Sequence, residues 1–313
     1  MPDEAVEIVN HGVRAKANRL MSDHPTQQSG NWRPSEAWRE AGMEASGAEL
    51  LHADPGVDIQ PTAIVDSRAQ IGHDVKIGHG AIVGPHVRLG DRVRVGAHVV
   101  LTGHTTIGED TRIWPGAIIG EEPQDSGFDG ADSFVEIGPR CRIREYVTVH
   151  RGSTEGSTTQ IGPDCLLMTM SHVAHNCRLA QGVTLSNGTL LAGYVTVDEA
   201  VIISGNTAVQ QFVRIGTRAF LGGLTRVPRD VAPYLTLDGD AVITGINWVG
   251  LRRAGVSRVA QKEIDALYEI LHDQGAALFD DRVARIQTLA TTPEGRQVAA
   301  FLGGRSRRGY CRP

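Results

Sequence analysis

Leu, Ile or Val recurs at every sixth position through the middle of the chain. The series runs from Ile59 to Ile119, resumes from Ile137 to Val149, and continues from Ile161 to Val227. A period of six matches neither the 3.6-residue turn of a helix nor the two-residue alternation of a strand. It is typical of a parallel β-helix, in which each hexad forms one side of a triangular prism. We therefore predict a mainly β protein: a left-handed parallel β-helix of hexapeptide repeats, followed by a C-terminal α-helical domain.

The extent of the repeat sets the expected domain boundaries. The β-helix is predicted over residues 56–240, with loops inserted at 121–136 and 152–160, where whole hexads are replaced without a change of phase. Residues 241–313 are predicted to form the helical domain. Residues 1–55 are polar and of mixed sign, so we expect an N-terminal extension of uncertain role with one helix after Ser35. Long ordered loops on a rigid scaffold are often functional, which directs attention to the two insertions.

Capping residues and apolar spacing indicate three helices in the C-terminal part. Ser257 is a candidate N-cap, and Thr292 precedes a proline and a glutamate that suit the first turn of a helix ending at Gly303-Gly304. A further helix is predicted between these two. The apolar positions expected to form one face of the first helix are Val259, Ile264, Leu267, Ile270 and Leu271. Leu278, Val283 and Ile286 indicate the second helix.

The composition fits a narrow prism. The chain has 313 residues, of which 37 are Gly, with only 4 Trp, 5 Tyr and 6 Phe. Glycine suits crowded or left-handed corners, and a thin aliphatic interior has little room for large rings. The formal charge of −5 gives no overall electrostatic case for nucleic-acid binding. No apolar run approaches a membrane span, and the acidic start is unlike a secretory signal, so we expect a cytoplasmic protein.

The cysteines are expected to fill the core. Cys141, Cys165 and Cys177 all lie four positions after an aliphatic ladder residue, where other hexads carry Ala, Val or Thr. No Cys-x-x-Cys pair or zinc-like spacing is present, so we expect neither disulfides nor a bound metal.

Three histidines are the strongest candidates for chemistry. His172 and His175 flank the inward-facing Val173, and His150 follows the ladder residue Val149, so all three should project outward beside the inserted loops. Imidazole is the side chain best suited to proton transfer near neutral pH. Other histidines at exposed positions of the repeat are interpreted as surface residues: His73, His79, His86 and His98.

Several motifs resemble the UDP-N-acetylglucosamine O-acyltransferases that begin lipid A synthesis. The resemblance covers roughly residues 57–310 and omits the first 55 or so. The motifs that carry it are Arg142-Ile143-Arg144-Glu145, His150-Arg151-Gly152, Leu166-Leu167-Met168, Ser171 to His175, Thr207 to Phe212, Asp230 to Tyr234, and Gly245 to Arg253. These motifs are more specific than the hexad, which many acyltransferases share.

The resemblance implies a cytoplasmic homotrimer with active sites between adjacent prisms and no cofactor. Acyl carrier protein would deliver a 3-hydroxyacyl chain to the 3-hydroxyl of UDP-N-acetylglucosamine, without a covalent enzyme intermediate. By the same resemblance His175 is the general base, and Gly193 supplies an oxyanion-stabilising N–H. The remaining implied roles are sugar contact for Asp125 and His172, nucleotide contact for His150, Gln211, Asn247 and Arg253, and the end of the acyl groove for Phe220 and Gly223.

The sequence departs from the family pattern mainly around the acceptor. Asn176 stands beside the base where Asp is frequent, and Tyr194 replaces a His after Gly193. Gly127 replaces a Lys, Gln210 replaces a His, and Ala254 replaces the second of two Arg residues. The changes leave open a different acceptor, such as a diamino nucleotide sugar acylated on nitrogen or a specialised-metabolite sugar. A β-helix used for metal-dependent hydration, or as a scaffold, is a third hypothesis of a different class.

A group of arginines late in the chain is a candidate docking strip for the acidic acyl carrier protein. Its members are Arg214, Arg218, Arg226, Arg229, Arg252, Arg253 and Arg258.

Overall fold

The computed structural model describes residues 56–273, 275 and 278–312. The extension at 1–55 and its expected helix lie outside these residues. The described chain forms a left-handed parallel β-helix of three sheets, A, B and C, visited in turn, and four helices follow.

Except for the last two strands, strands that are three apart along the chain pair with each other, and this step is one coil of the prism. Sheet A contains β1 Asp58–Ile59, β4 Lys76–Ile77, β7 Arg94–Val95, β10 Arg112–Ile113, β13 Arg142–Ile143, β16 Leu166–Leu167, β19 Thr184–Leu185, β22 Ile202–Ile203, β25 Phe220–Leu221, β27 Leu235–Asp238 and β28 Val242–Ile246. The last two strands, β27 and β28, add to the end of sheet A. Sheet B contains β2 Ile64–Val65, β5 Ile82–Val83, β8 Val100–Leu101, β11 Ile118–Glu121, β14 Thr148–His150, β17 His172–Val173, β20 Leu190–Leu191, β23 Ala208–Val209 and β26 Arg226–Val227. Sheet C contains β3 Gln70–Ile71, β6 Arg88–Leu89, β9 His104–Ile107, β12 Phe134–Ile137, β15 Thr158–Ile161, β18 Arg178–Leu179, β21 Thr196–Val197 and β24 Arg214–Ile215.

The aliphatic ladder lies inside the prism, as the repeat predicts. Ile143 pairs with Leu167 and Val149 with Val173, and all four side chains are fully buried. Each strand bonds through its backbone to the coils on either side, so the peptide groups are satisfied by stacking. The prediction for the cysteines is also confirmed: Cys141, Cys165 and Cys177 are fully buried free thiols.

Close stacking, more than left-handed backbone, explains the glycines that follow ladder residues. A Cβ added to Gly78 would lie 2.7 Å from the backbone nitrogen of Ala97, and one added to Gly96 would lie 2.8 Å from that of Pro115. Neither glycine has a positive φ, whereas bulky residues at other corners do, such as Tyr146 at 57° and Met170 at 60°. The crowded corner is therefore where glycine is required.

An antiparallel hairpin of β27 and β28 leads into the helices α1 Trp248–Arg253, α2 Arg258–His272, α3 Phe279–Leu289 and α4 Pro293–Gly303. Ser257 and Thr292 cap α2 and α4 as predicted, accepting hydrogen bonds from the N–H groups of Ala260 and Gly295. The expectation for Val259 was wrong, since this side chain is 70% exposed. The buried stripe of α2 instead runs through Ala260, Ile264, Leu267, Tyr268 and Leu271.

Candidate active site

The three outward histidines meet at the edge of sheet B. β14 ends at His150, and β17, the next strand in this sheet, begins at His172. His175 follows β17 at the bend towards sheet C. The inward positions of Val149 and Val173 force the neighbouring imidazoles outward, so the repeat itself places the cluster.

His150 and His172 form an edge-to-face pair held in neutral form. Their ring centroids lie 5.1 Å apart, and Nδ1 of His172 is 2.7 Å from the hydroxyl of Thr148. Burial, reinforced by the neighbouring imidazoles His150 and His175, lowers the pKa of His172 to about 4. Burial and then His175 also lower the pKa of His150, whose Nδ1 is buried without a hydrogen-bond partner among the described residues.

His175 lies between the two inserted loops and is 6% exposed. Its Nδ1 is 2.9 Å from Oδ1 of Asn176, and its Nε2 is 3.9 Å from a carboxylate oxygen of Asp125 in the first loop. The ring of Tyr194 stands edge-on against the imidazole, with centroids 5.3 Å apart. The ring is thus fixed on one side while Nε2 faces a carboxylate.

Gly193 presses its backbone against the same imidazole. A Cβ at this position would lie 2.5 Å from Cε1 and 2.6 Å from Nε2 of His175, so a side chain there would displace the ring. Within the described residues, no acceptor is bonded to the N–H of Gly193. A free backbone donor therefore adjoins the nitrogen that faces Asp125.

Gln211 lies at the bend between sheets B and C, as His175 and Gly193 do in earlier coils. The N–H of Tyr194 bonds to the carbonyl of His175, and the N–H of Phe212 bonds to that of Gly193, so successive coils stack at this corner. The structure consequently brings together six of the predicted residues along sheet B and its bend to sheet C: Asp125, His150, His172, His175, Gly193 and Gln211.

The other predicted residues lie elsewhere on the chain. Phe220 is on sheet A and Gly223 at the following bend, three coils beyond His175, or about 14 Å along the axis at the usual strand spacing. Asn247 caps α1, accepting from the N–H of Gly250 and donating to the carbonyl of Arg218. Arg253 ends α1 with an exposed side chain. These four do not join the histidine cluster within one chain.

Sequence reasoning gave no role to Arg151, which binds the first loop. Its guanidinium donates to the carbonyl of Gly120, lies 3.5 Å from the carboxylate of Glu122, and sits 5.2 Å from the ring centre of Phe128. The second loop also holds the first loop in place, since Glu155 accepts a hydrogen bond from the N–H of Asp132. The motif His150-Arg151-Gly152 could have drawn attention to Arg151. Its contacts with the first loop form only in the folded chain, so the sequence does not reveal them.

Two departures in the sequence change the surroundings of the base. Gly127 donates its backbone N–H to Asp125, which closes a turn in the first loop with no cation at that position. Asn176 accepts from both the N–H and the hydroxyl of Ser153. Gln210 and Ala254 are both exposed.

Arg214, a member of the predicted docking strip, is bound to other residues of the same chain. Its guanidinium pairs with the fully buried Asp230 at 2.8 Å and lies 4.5 Å from the ring centre of Phe301. It therefore joins sheet C to the C-terminal helices. The other six arginines of the strip are exposed or half-buried.

Two further findings concern only the described residues. No group of three His, Cys, Asp or Glu side chains there is arranged to hold one metal ion. None of the helices there combines the length and apolar character that crossing a membrane requires.

Comparison with known proteins gives a consistent pattern. The sequence profile of a family described as UDP-N-acetylglucosamine O-acyltransferase, domain 2, matches residues 230–311, and a bacterial transferase hexapeptide profile matches residues 86–121. An acyl-[acyl-carrier-protein]–UDP-N-acetylglucosamine O-acyltransferase of Sinorhizobium fredii is 40% identical, covering 82% of this chain and 95% of that protein.

Solved structures agree. A UDP-N-acetylglucosamine acyltransferase from Bacteroides fragilis has a TM-score of 0.76 at 33% identity, covering 80% of this chain and 98% of its own. LpxA from Acinetobacter baumannii has a TM-score of 0.78 at 33% identity, covering 81% and 99%.

Proposed function

Because this chain belongs to the UDP-N-acetylglucosamine O-acyltransferase family, we propose that it moves a 3-hydroxyacyl chain from acyl carrier protein to the 3-hydroxyl of UDP-N-acetylglucosamine. The observation that carries this proposal is the geometry at His175. Its Nε2 faces the Asp125 carboxylate, and the free N–H of Gly193 adjoins it. A base and an oxyanion donor side by side are what acyl transfer to a hydroxyl requires.

The reaction follows from these positions. Nε2 of His175 accepts the proton of the sugar hydroxyl as that oxygen bonds to the thioester carbonyl carbon. The N–H of Gly193 stabilises the negative charge that develops on the carbonyl oxygen. The C–S bond then breaks, and the leaving thiolate takes up the proton from the imidazolium. The base thus ends the cycle neutral.

Transfer without a covalent enzyme intermediate is supported by the state of the cysteine nearest to the base in sequence. Cys177, the cysteine nearest to His175 in sequence, is fully buried in the core, and burial raises its pKa to about 12. Such a thiol is neither accessible nor ionised at neutral pH. Four free cysteines also agree with a reducing compartment, which supports our placing the reaction in the cytoplasm.

The sugar nucleotide that accepts the acyl chain is proposed to bind along the cluster of His150, His172 and His175. Asp125 and His172 would contact the sugar. Nδ1 of His150, which has no partner among the described residues, offers a buried polar atom for the nucleotide or its phosphates. No cofactor enters this scheme, since acyl carrier protein brings the activated acyl group. Its docking is assigned to the arginines that remain exposed near α1 and α2.

A homotrimer with clefts between prisms is the second part of the proposal. The outward residues of sheet B form an apolar ladder of Ile64, Ile82, Val100 and Ile118, with Leu190 further along. Ile64 and Leu190 are each 49% exposed in the single chain. Association through this face would cover the ladder. It would also let Asn247, Arg253 and Phe220 of one chain approach the histidine cluster of the next.

The decisive experiment is product identification. The protein is incubated with 3-hydroxyacyl carrier protein and a panel of UDP-sugars, and products are identified by mass. We expect acylated UDP-N-acetylglucosamine, with a rate at least ~10²-fold lower in His175→Ala. His98→Asn, which alters an exposed histidine remote from the cluster, is the matched control. Near-normal turnover by His175→Ala would refute the assigned base.

A different acceptor has one observation in its favour. Gly127 leaves the carboxylate of Asp125 with no cation from that position, so Asp125 could receive the ammonium group of a diamino sugar. The panel therefore includes a UDP-2,3-diamino sugar. Acylation of that sugar alone would replace the O-acylation proposal with N-acylation.

A further inference from the structure

The oxygen of Asn176 gathers three donors. It lies 3.0 Å from the backbone nitrogen of Ser153, 2.9 Å from the Ser153 hydroxyl and 2.9 Å from Nδ1 of His175. A backbone N–H only donates, so the atom it meets must be the amide oxygen rather than the NH2 group. An amide oxygen only accepts, so Nδ1 of His175 must carry the proton. Nε2 is then the nitrogen with the free lone pair, the one that faces Asp125.

Tyr194 extends this arrangement. Its hydroxyl lies 3.1 Å from that of Ser153, and the Ser153 proton is already directed to Asn176, so the tyrosine donates. Its ring meets His175 edge-on and stacks on Phe212, with centroids 5.0 Å apart. The imidazole is therefore held by a hydrogen bond to an amide and packed against the perpendicular ring of Tyr194.

The second inserted loop supplies the rest of the support. Ser153 is a loop residue, 8% exposed, and Thr159 at the loop's end accepts from the backbone N–H of Asn176. Asn176 has a φ of 61°, a left-handed conformation that asparagine tolerates well. The loop thus fixes both the position and the orientation of the amide.

We propose that Ser153, Asn176 and Tyr194 form one uncharged hydrogen-bonded unit that positions His175 and holds it in the Nδ1-protonated tautomer. All three are positioning residues, and their effect on rate rests on the proposed function. Two of them, Asn176 and Tyr194, are departures from the family pattern. The structure joins these two departures through Ser153, so they act as a single change.

An uncharged partner has a consequence for pH. A carboxylate stabilises imidazolium more than an amide oxygen does, so an aspartate at position 176 should narrow the active range on its acidic side. The titratable groups facing His175 are Asp125 from the first loop, His150 and His172 from sheet B, and Tyr194 from the next coil. Asn176→Asp keeps an oxygen at the position that meets Nδ1 and replaces the amide NH2 with a second oxygen, which adds a negative charge.

The first test reads the tautomer directly and needs no substrate. In ¹⁵N-histidine spectra of the full-length protein, the His175 signals are assigned by their absence in His175→Ala. We expect Nε2 to show the shift of an unprotonated imidazole nitrogen and Nδ1 that of a protonated one. A proton on Nε2 would overturn the proposal, even if the enzyme acylates UDP-N-acetylglucosamine. If it acylates no UDP-sugar, the proposed function fails while the tautomer still decides this inference.

The second test separates positioning from folding. Ser153→Ala and Tyr194→Phe should each lower kcat by about tenfold with little change in the KM for the sugar nucleotide, because misorientation of a base costs rate rather than binding. Ser186→Ala and Tyr146→Phe, which remove hydroxyls outside the unit, are the controls. Asn176→Asp should move the acidic limb of the kcat/KM profile about one pH unit higher. Ser153 and Tyr194 variants matching the controls, or an unmoved limb, would overturn the proposal.

Discussion

His172 is a half-buried imidazole held neutral, and this makes the stability of the fold depend on pH. Its folded pKa of about 4 lies below the ordinary value of 6.5, because burial disfavours the charged ring. As pH falls below 6.5, His172 becomes protonated in the unfolded chain but stays neutral in the folded chain. The free energy of unfolding therefore decreases until about pH 4. Above pH 7 both states are neutral and the effect vanishes.

We expect this histidine to reduce the free energy of unfolding by about 2 kcal/mol between pH 7.5 and pH 5. His172→Gln should lose correspondingly less stability over that range in urea titrations at fixed protein concentration. The exposed His98→Asn serves as the control and should behave like the wild type. An equal loss in His172→Gln would show that His172 is not held neutral.

At the scale of elements, one ion pair joins the prism to the helices. Asp230 accepts from both the backbone N–H and the Nε of Arg214 on β24, while the same guanidinium contacts Tyr310 and the ring of Phe301. The helices α2 and α4 pack beyond this point. Removing the buried charge leaves the guanidinium without its partner.

Asp230→Asn should lower the free energy of unfolding by about 3 kcal/mol. This is the lower end of the range for breaking a buried ion pair, because Arg214 remains partly exposed. Asp110→Asn, which breaks the exposed pair with Arg92, should cost at most about 1 kcal/mol. Denaturant unfolding measures both, and hydrogen exchange should rise first in α2 and α4 of Asp230→Asn. Equal effects of the two substitutions would contradict the role of Arg214 as a link between the prism and the helices.

At the scale of the whole molecule, the apolar ladder of sheet B predicts how chains associate. Ile82→Lys places a charge on that face four coils from His172, about 19 Å away along the axis. We expect monomers by light scattering and loss of activity, because the proposed site draws residues from two chains. Thr106→Lys on the exposed face of sheet C is the matched control. A monomeric Ile82→Lys protein of full activity would refute the shared site.

Mixed oligomers test the shared site directly. His175→Ala and Arg253→Ala chains, each inactive alone, are unfolded together and refolded. If the cleft draws His175 and Arg253 from different chains, random mixing restores about a quarter of the sites. His175→Ala mixed with Asp125→Ala should restore nothing, since these residues meet within one chain. Absence of rescue in the first mixture would place the whole site in one chain.

The sequence by itself determined the scaffold. A hexad repeat fixes which residues point inward, because each coil repeats the same backbone path, so the ladder, the buried cysteines and the outward histidines could all be read from spacing. The caps at Ser257 and Thr292 are local interactions, so they could also be predicted from the sequence. Val259 was misassigned because one residue of phase on a helix turns a side chain by about 100°.

Only the tertiary structure decided which residues work together. Asp125 reaches His175 through a folded loop, Ser153 joins Asn176 to Tyr194, and Arg214 turns inward to Asp230. These contacts span 16 to 50 positions in sequence, and no local pattern records them. A repeat constrains direction residue by residue, whereas a site depends on distances between side chains from separate coils and loops, which are set when the chain packs.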